Sequence, residues 1–235
     1  MATSEQIESP ATINISKIGT EDWNSVPTDL EQQSFSQSSS FGFRSVDKEN
    51  EIISAELITS TNTRITRYDP EREDIVEETI TSTEEISFRI NQNSELLEVY
   101  SNKDDNGEVI NRLGQTIDRV TISDLNIYLE DIVEQLKSHE VDFEISALRI
   151  NNISPEPNTN GNCYLNTHTD SVAEKLISEY EDDVTYLCIE ISLDSEEATI
   201  GFYRSGSVRI FSNVNEDEKL FSIVRAAISG VNQHA

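Results

Sequence analysis

Alternation of apolar and polar residues is the clearest pattern in the first half of the chain, and it begins at Ile52. Ile53, Ala55 and Leu57 alternate with polar neighbours, and residues 63–68 continue as strand-forming sequence. Because successive side chains of a strand point to opposite faces, this spacing predicts strands with one buried face.

A turn is predicted at 69–74, where Pro70 lies among acidic residues. Strands are then predicted at 75–83, 86–90 and 96–100. Apolar residues recur at helical spacing after the last of them, which predicts an amphipathic helix. Its apolar face consists of Val109, Ile110, Leu113 and Ile117.

The second half has a similar mixture of helical and strand-like segments. Its strongest helix has apolar residues at helical spacing, at Leu125, Tyr128, Leu129, Ile132, Val133 and Leu136. Alternation predicts a strand over 141–150, and the segment 151–162, rich in Asn and Pro, is predicted to be a loop. The pair Ser171 and Glu174 has the spacing of a capping box, which predicts a helix start there.

The last part of the chain is predicted to contain a strand, a hairpin and a helix. Residues 187–193 alternate as a half-buried strand, and 198–203 with 207–211 form a hairpin about Ser205 and Gly206. Acidic residues at 216–218 suit the first turn of the final helix, because they complement the helix dipole.

Two segments of the chain align with each other without a gap. Residues 97–117 match 208–228 in residue character, and the preceding strands also match. We therefore predict an α+β protein with a mainly antiparallel sheet, helices packed on one face, and pseudo-duplicated ββα units. The first repeat is assigned to 51–118 and the second, also α+β, to 119–235.

Residues 1–50 are predicted to form a disordered, acidic and Ser-rich tail. Residues 32–43 are polar and of low complexity, and no periodic pattern precedes them. Such composition buries too little apolar surface to offset the entropy lost on ordering. Trp23, the only Trp, directly follows the acidic residues Glu21 and Asp22 and is a candidate docking motif.

The charge balance narrows the classes of partner. The chain has 45 Asp and Glu against 17 Lys and Arg, a formal net charge of -28, and only 35% hydrophobic residues. This charge disfavours nucleic acid and anionic membranes, which attract clustered cations. It fits either a protein adapted to high salt, where self-repulsion is screened, or a protein with a basic partner.

Candidate chemistry is sparse. Cys163 and Cys188 have no metal-binding spacing, and neither a secretory signal nor a membrane-length apolar run is present, so we expect a cytoplasmic protein without cofactors. A metal or acid–base centre would have to combine His168 with Asp170 and Cys163. We expect instead no metal and no catalysis.

Scarce cations are the more informative candidates for binding. Arg64 and Arg67 share one strand-like segment, and Arg204 and Arg209 flank the second hairpin beside Tyr203. On a single sheet face, the four arginines would form a positive patch able to bind nucleic acid or an acidic partner. The alternative is cross-strand pairing with the abundant Glu residues.

Residues 183–228, and more faintly residues 86–117, resemble the C-terminal part of one repeat of the TATA-box-binding protein fold, chiefly at the hairpin 200–207. The resemblance implies a similar fold and an association with nucleic acid. The sequence departs from the family where the hairpin lysine becomes Ser207 and the hairpin phenylalanines become Tyr203 and Asn91. Those phenylalanines are the wedges inserted between base steps, so minor-groove binding is not implied.

The function predicted from sequence is that of a non-catalytic intracellular interaction or regulatory protein adapted to high salt. Its contact surface would be the free face of the sheet or the tail, and its partner another protein. A nucleic-acid-associated factor with a fold like that of the TATA-box-binding protein is the first alternative. A metal-dependent enzyme centred on His168 is the second.

Overall fold

The computed structural model describes residues 11–70, 73–153, 159–193, 197–212 and 217–232. The strands are β1 Ala11–Gly19, β2 Phe41–Glu49, β3 Ile52–Asp69, β4 Asp74–Asn91, β5 Leu96–Val99, β6 Thr121–Asp124, β7 Phe143–Ile153, β8 Gly161–Asn166, β9 Val184–Ser192, β10 Glu197–Tyr203 and β11 Ser207–Ile210. The helices are α1 Val26–Gln32, α2 Lys103–Thr116, α3 Leu129–Ser138, α4 Asp170–Glu179 and α5 Asp217–Asn232. The α+β class is confirmed. None of the described helices is long and apolar enough to cross a bilayer.

All the strands of the described residues belong to one 11-stranded sheet with the order β2-β3-β4-β5-β1-β11-β10-β9-β7-β8, and β6 also pairs with β1. Each neighbouring pair is antiparallel. The N-terminal strand β1 lies in the middle, where Asn14 is opposite Val99 of β5 and Ser207 of β11. One strand therefore joins the two halves of the sheet.

The prediction of a disordered tail is wrong for residues 11–50, which form β1, α1 and β2; residues 1–10 lie outside the described residues. Both faces of β1 are covered, so its polar Asn14 and Ser16 are buried along with Ile13 and Ile15. Ala11, Ile13 and Ile15 do alternate with polar residues, but this run is short, and the polar, low-complexity sequence at 32–43 led to the prediction of a tail.

Two hydrophobic cores lie on opposite faces of the sheet. In β5, Leu97 and Val99 contact the core that contains α1 and α2, whereas Leu96 contacts the core that contains α3, α4 and α5. Neighbouring residues of a strand point to opposite faces, so the two sets of helices must also lie on opposite faces. The prediction of helices on one face thus describes each half, and the two halves use different faces.

The pseudo-duplicated ββα units occupy matching places around β1. In the first half β4 and β5 lead into α2, and in the second half β10 and β11 lead into α5. Both β5 and β11 run antiparallel to β1, on its two sides. A half-turn about the long axis of β1 relates such units, which explains why their helices cover opposite faces.

Several element boundaries differ from the predictions. The separate strands predicted within 52–68 and 75–90 are the continuous strands β3 and β4, which pair over their whole length. Their outer parts, 60–69 and 74–84, form an exposed two-stranded ribbon. Long ribbons of polar, β-branched residues give weak alternation, because neither face is buried.

The second half differs at two helix starts and one strand. Helix α3 begins at Leu129, because Leu125 and Ile127 are buried in the extended segment before it. Helix α4 begins at Asp170, one residue before the predicted capping serine, and its N-cap makes no side-chain bond. Strand β8 starts at Gly161, within the predicted loop.

A buried polar cluster connects the first half to helix α5 of the second. The Arg225 Nε donates to both carboxylate oxygens of Glu98, at 3.0 and 2.9 Å, and its Nη2 donates to the Tyr100 hydroxyl at 2.6 Å. The Tyr100 hydroxyl in turn donates to Glu98 Oε2 at 2.6 Å. Burial, together with the Glu98 charge, raises the pKa of Tyr100 above its usual range. Tyr100 therefore stays protonated at neutral pH and remains a hydrogen-bond donor to Glu98.

Replacing Glu98 with alanine is expected to lower the free energy of unfolding by about 3 kcal/mol, because it leaves the largely buried Arg225 guanidinium without its carboxylate. Arg44→Ala is the matched control, since Arg44 pairs with Glu56 and Glu85 on the exposed surface. The measurement is urea unfolding at fixed salt. Equal destabilisation by both variants would contradict a structural role for the buried pair.

Candidate functional site: a tyrosine–arginine row on the open face

Four side chains form a row across the second half of the sheet. Tyr203 of β10 is opposite Tyr186 of β9, Tyr186 is opposite Arg149 of β7, and Arg149 is opposite Tyr164 of β8. Directly opposed residues of antiparallel strands point to the same face and contact each other. We call Tyr203, Tyr186, Arg149 and Tyr164 the tyrosine–arginine row.

The row lies on the face that the helices of this half leave open. In β9, Leu187 and Ile189 belong to the core beneath α3, α4 and α5. Tyr186 and Cys188 alternate with them and form a separate small cluster with Ala147. The row is therefore a surface feature of the open face and not part of the main core.

The three rings are in contact with one another. The Tyr164 and Tyr186 rings are stacked with centroids 6.3 Å apart, and the Tyr186 and Tyr203 rings are tilted at 4.7 Å. Tyr186 is only 8% exposed, whereas Tyr164 on the edge strand is 60% exposed. With Asn151 and Thr185, the row lines an open cleft of about 410 Å³.

Gly201 makes room for this arrangement. It lies in β10 opposite Cys188, and the ring of Tyr186 covers it. A Cβ atom at Gly201 would lie 2.6 Å from Cε2 and 2.9 Å from the hydroxyl oxygen of Tyr186. The absence of a side chain at Gly201 therefore allows the Tyr186 ring to pack flat against the sheet.

The charge and protonation states of the tyrosine–arginine row are suited to binding a partner. Burial, and then the hydrogen bond and charge of Cys188, raise the pKa of Tyr186 above its usual range. Arg149 is exposed, and among the described residues its guanidinium has no ion pair. The row therefore presents aromatic faces, phenol hydroxyls and an unneutralised cation in a chain whose net charge is -28.

Of the residues predicted from sequence, only Tyr203 belongs to the row. Arg209 lies beside it on β11, opposite Gly201, with its guanidinium 5.2 Å from the Phe211 ring. Arg204 instead makes contacts that stabilise the fold. Its guanidinium lies 5.0 Å from the Tyr128 ring, and its Nε donates to Asn126 at 3.2 Å.

The other predicted binding residues lie in the first half. Arg64 and Arg67 are on opposite faces of the exposed ribbon, because they are an odd number of residues apart, and Arg67 pairs with Glu78 at 2.7 Å. Trp23 packs against the first-half core, next to α1. The structure therefore does not bring the four arginines into one patch, and for Arg67 it shows the cross-strand pairing that was the alternative.

Sequence reasoning missed Arg149, Tyr164 and Tyr186. Tyr164 lies in β8, which was not predicted, and Tyr186 immediately precedes the predicted strand 187–193. Only the register of four strands places these residues side by side. The sequence feature that could have identified Tyr164 is the absence of charged residues around it, because uncharged segments of this length are rare in so acidic a chain.

The candidate metal ligands have other surroundings. His168 is exposed in the turn before α4, and the Asp170 carboxylate accepts the backbone N–H of Ile145 at 2.9 Å. Within the described ranges, no group of three His, Cys, Asp or Glu residues is arranged to hold a metal ion.

Comparison with known proteins adds no relative: no protein-family model and no curated protein sequence matches the chain.

Substituting Gly201 with alanine is expected to push the Tyr186 ring out of the row, since the new Cβ overlaps it. One of the seven tyrosines should then ionise nearer the usual pKa of about 10. Because the folded state raises the pKa of Tyr186, wild-type stability is retained below about pH 10 and falls as the pH rises above it. Alkaline titration of tyrosinate absorbance measures the ionisation, and urea unfolding at pH values below and above about 10 measures the stability.

Gly107→Ala is the control for this titration, because a Cβ at Gly107 of α2 meets no atom within 4 Å. Its titration curve should match the wild type. A Gly201→Ala curve that also matches the wild type would show that Tyr186 does not depend on Gly201 for its position.

Proposed function

We propose that this protein is a non-catalytic, cytoplasmic interaction protein adapted to high salt, which binds another protein through the tyrosine–arginine row. The single observation that carries the proposal is the direct register of Tyr203, Tyr186, Arg149 and Tyr164 on a sheet face without helices. The two free cysteines are in keeping with a reducing compartment.

The composition of the row supports a protein partner. Tyr and Arg are enriched at the centres of protein interfaces, where large rigid side chains bury much area with little loss of conformational entropy. The cleft of about 410 Å³ has room for side chains of a partner, with Tyr164 as the exposed wall. Arg149 offers donors to partner carbonyl or carboxylate groups.

The titration behaviour of the row supports binding over catalysis. A general base must be unprotonated near the working pH, and a nucleophile must be activated by a neighbouring base. Tyr186 has the opposite property, since burial raises its pKa and keeps the phenol protonated. A protonated phenol is a hydrogen-bond donor, which is useful in an interface.

The charge distribution supports the high-salt part of the proposal. Several cations already pair with carboxylates at the surface, as Arg44, Arg67 and Lys137 do, yet a formal charge of -28 remains. At an ionic strength of about 1 M the Debye length is about 3 Å, so repulsion between separate surface carboxylates is strongly screened. The folded state should therefore gain stability from salt.

Raising KCl from about 0.1 M to about 1 M is expected to increase the thermal unfolding midpoint by at least about 5 °C, because screening removes self-repulsion of the compact state. Differential scanning calorimetry measures the midpoint, with sucrose of equal osmolality as the uncharged control. A midpoint unaffected by KCl, or raised equally by sucrose, would argue against salt adaptation.

The binding proposal is tested by affinity capture from lysate of the source cells at native salt, with and without nuclease. Wild type and Tyr68→Ala should capture the same protein, whereas Tyr164→Ala and Arg149→Gln should lose it. Tyr68 is a matched control because it is 61% exposed, against 60% for Tyr164, but lies on the ribbon. Capture that survives both row substitutions would contradict the proposal.

A nucleic-acid partner is the second candidate, and the same row favours it. Aromatic side chains on a sheet face provide stacking platforms for unpaired bases, and Arg149 offers a cation for phosphate. The resemblance to the TATA-box-binding protein fold points the same way. Two results would favour this function: the captured material disappears after nuclease treatment, and the wild type binds a single-stranded oligonucleotide. The Tyr164→Ala substitution should abolish that binding.

A further inference from the structure

The two outer edges of the sheet are built differently. At the β2 edge the register shifts between Arg44 and Asp47, and Lys48 and Glu49 add charges. The preceding segment also bridges to this strand, through Ser34 and Phe43. Bulges, charges and covering segments are the devices by which sheets prevent pairing with another chain.

The β8 edge is uncharged, and the register of its pairing with β7 shifts only near its first residue, between Ile150 and Ile153. Strand β8 ends the sheet and reads Gly-Asn-Cys-Tyr-Leu-Asn. Residues 157–169, which include it, are the longest stretch of the chain without Asp, Glu, Lys or Arg. An uncharged edge strand presents unpaired backbone donors and acceptors, which are a template for a further strand.

We propose that β8 pairs antiparallel with β8 of a second copy of this chain, so that the two sheets continue across a twofold axis. The net charge favours this surface for self-association, because two copies that each carry -28 repel each other least where the contacting surface is itself uncharged. A strand edge is also self-complementary, because a twofold axis brings each donor of one copy to an acceptor of the other.

The proposed axis passes through Tyr164. With the axis at residue 164, each residue is opposite one that lies equally far from Tyr164 in the second copy. Asn162 therefore faces Asn166 of the second copy on the open side of the sheet. Cys163 faces its Leu165 on the helix side. Tyr164 of one copy meets Tyr164 of the other. The two tyrosine–arginine rows join end to end into one surface, because each row ends on β8.

This pairing does not rest on the proposed function, because it needs no other partner, and the two can fail separately. The remaining surface is strongly acidic, so repulsion between copies opposes association at low salt. The dimer should therefore form at about 1 M KCl and dissociate at about 0.1 M.

The test uses charges placed at the facing pair. In the double variant Asn162→Glu/Asn166→Glu, two carboxylates oppose each other twice in the dimer, which should weaken it by about tenfold or more. In Asn162→Lys/Asn166→Glu the same positions form two opposite-charge pairs, so the dimer should persist to lower salt than the wild type. Light scattering after size exclusion measures the mass against the 26.5 kDa of one chain.

Asn93→Glu/Asn111→Glu is the control, because both residues are exposed and far from β8, yet the change in net charge equals that of the first variant. It should retain the dimer at high salt. Circular dichroism confirms that each variant is folded. A wild type that stays at 26.5 kDa in about 1 M KCl, or a dimer indifferent to both β8 variants, overturns the proposal.

Discussion

Strand β1 is the constraint on which the rest of the structure depends, because among the described strands it alone pairs with both halves of the sheet. Residues 11–14 pair with β11, residues 14–17 pair with β5, and residues 16–19 pair with β6. Asn14 adds side-chain bonds to both sides, since its amide donates to the Ser101 carbonyl at 2.6 Å and its carbonyl accepts from the Ser207 hydroxyl at 3.2 Å. Without β1, each half would expose the edge of a buried strand.

The position of β1 also decides which surfaces remain open. Units related by a half-turn about a strand place their helices on opposite faces, so each half has one face covered and one face open. The open face of the first half carries the ion pairs of Arg44 with Glu56 and Glu85, whereas that of the second carries the tyrosine–arginine row. Two similar ββα units thus present a charged face and an aromatic face.

An element could be predicted from the sequence when the pattern that identifies it lies within the element itself. Strand β9 and helix α5 were predicted well, because one face of each is buried and the apolar spacing shows it. Strand β1 was missed because its short alternating run lies in a segment whose polar, low-complexity sequence at 32–43 is typical of disorder, and β8 because it is a six-residue strand beside a segment rich in Asn and Pro. Tyr203 was singled out from sequence, but its neighbours Tyr186, Arg149 and Tyr164 come from three other strands.

The sequence by itself determined the α+β class, the antiparallel pairing of adjacent segments, the repeated ββα unit and the strongly acidic surface, because each depends on local periodicity or on composition. Only the tertiary structure decided that the N-terminal segment is the central strand, that the two halves cover opposite faces, and that three tyrosines and one arginine form a row. These depend on pairings between distant parts of the chain. Backbone hydrogen bonds between strands are the same for every residue type, so a local pattern does not specify which strand lies beside which.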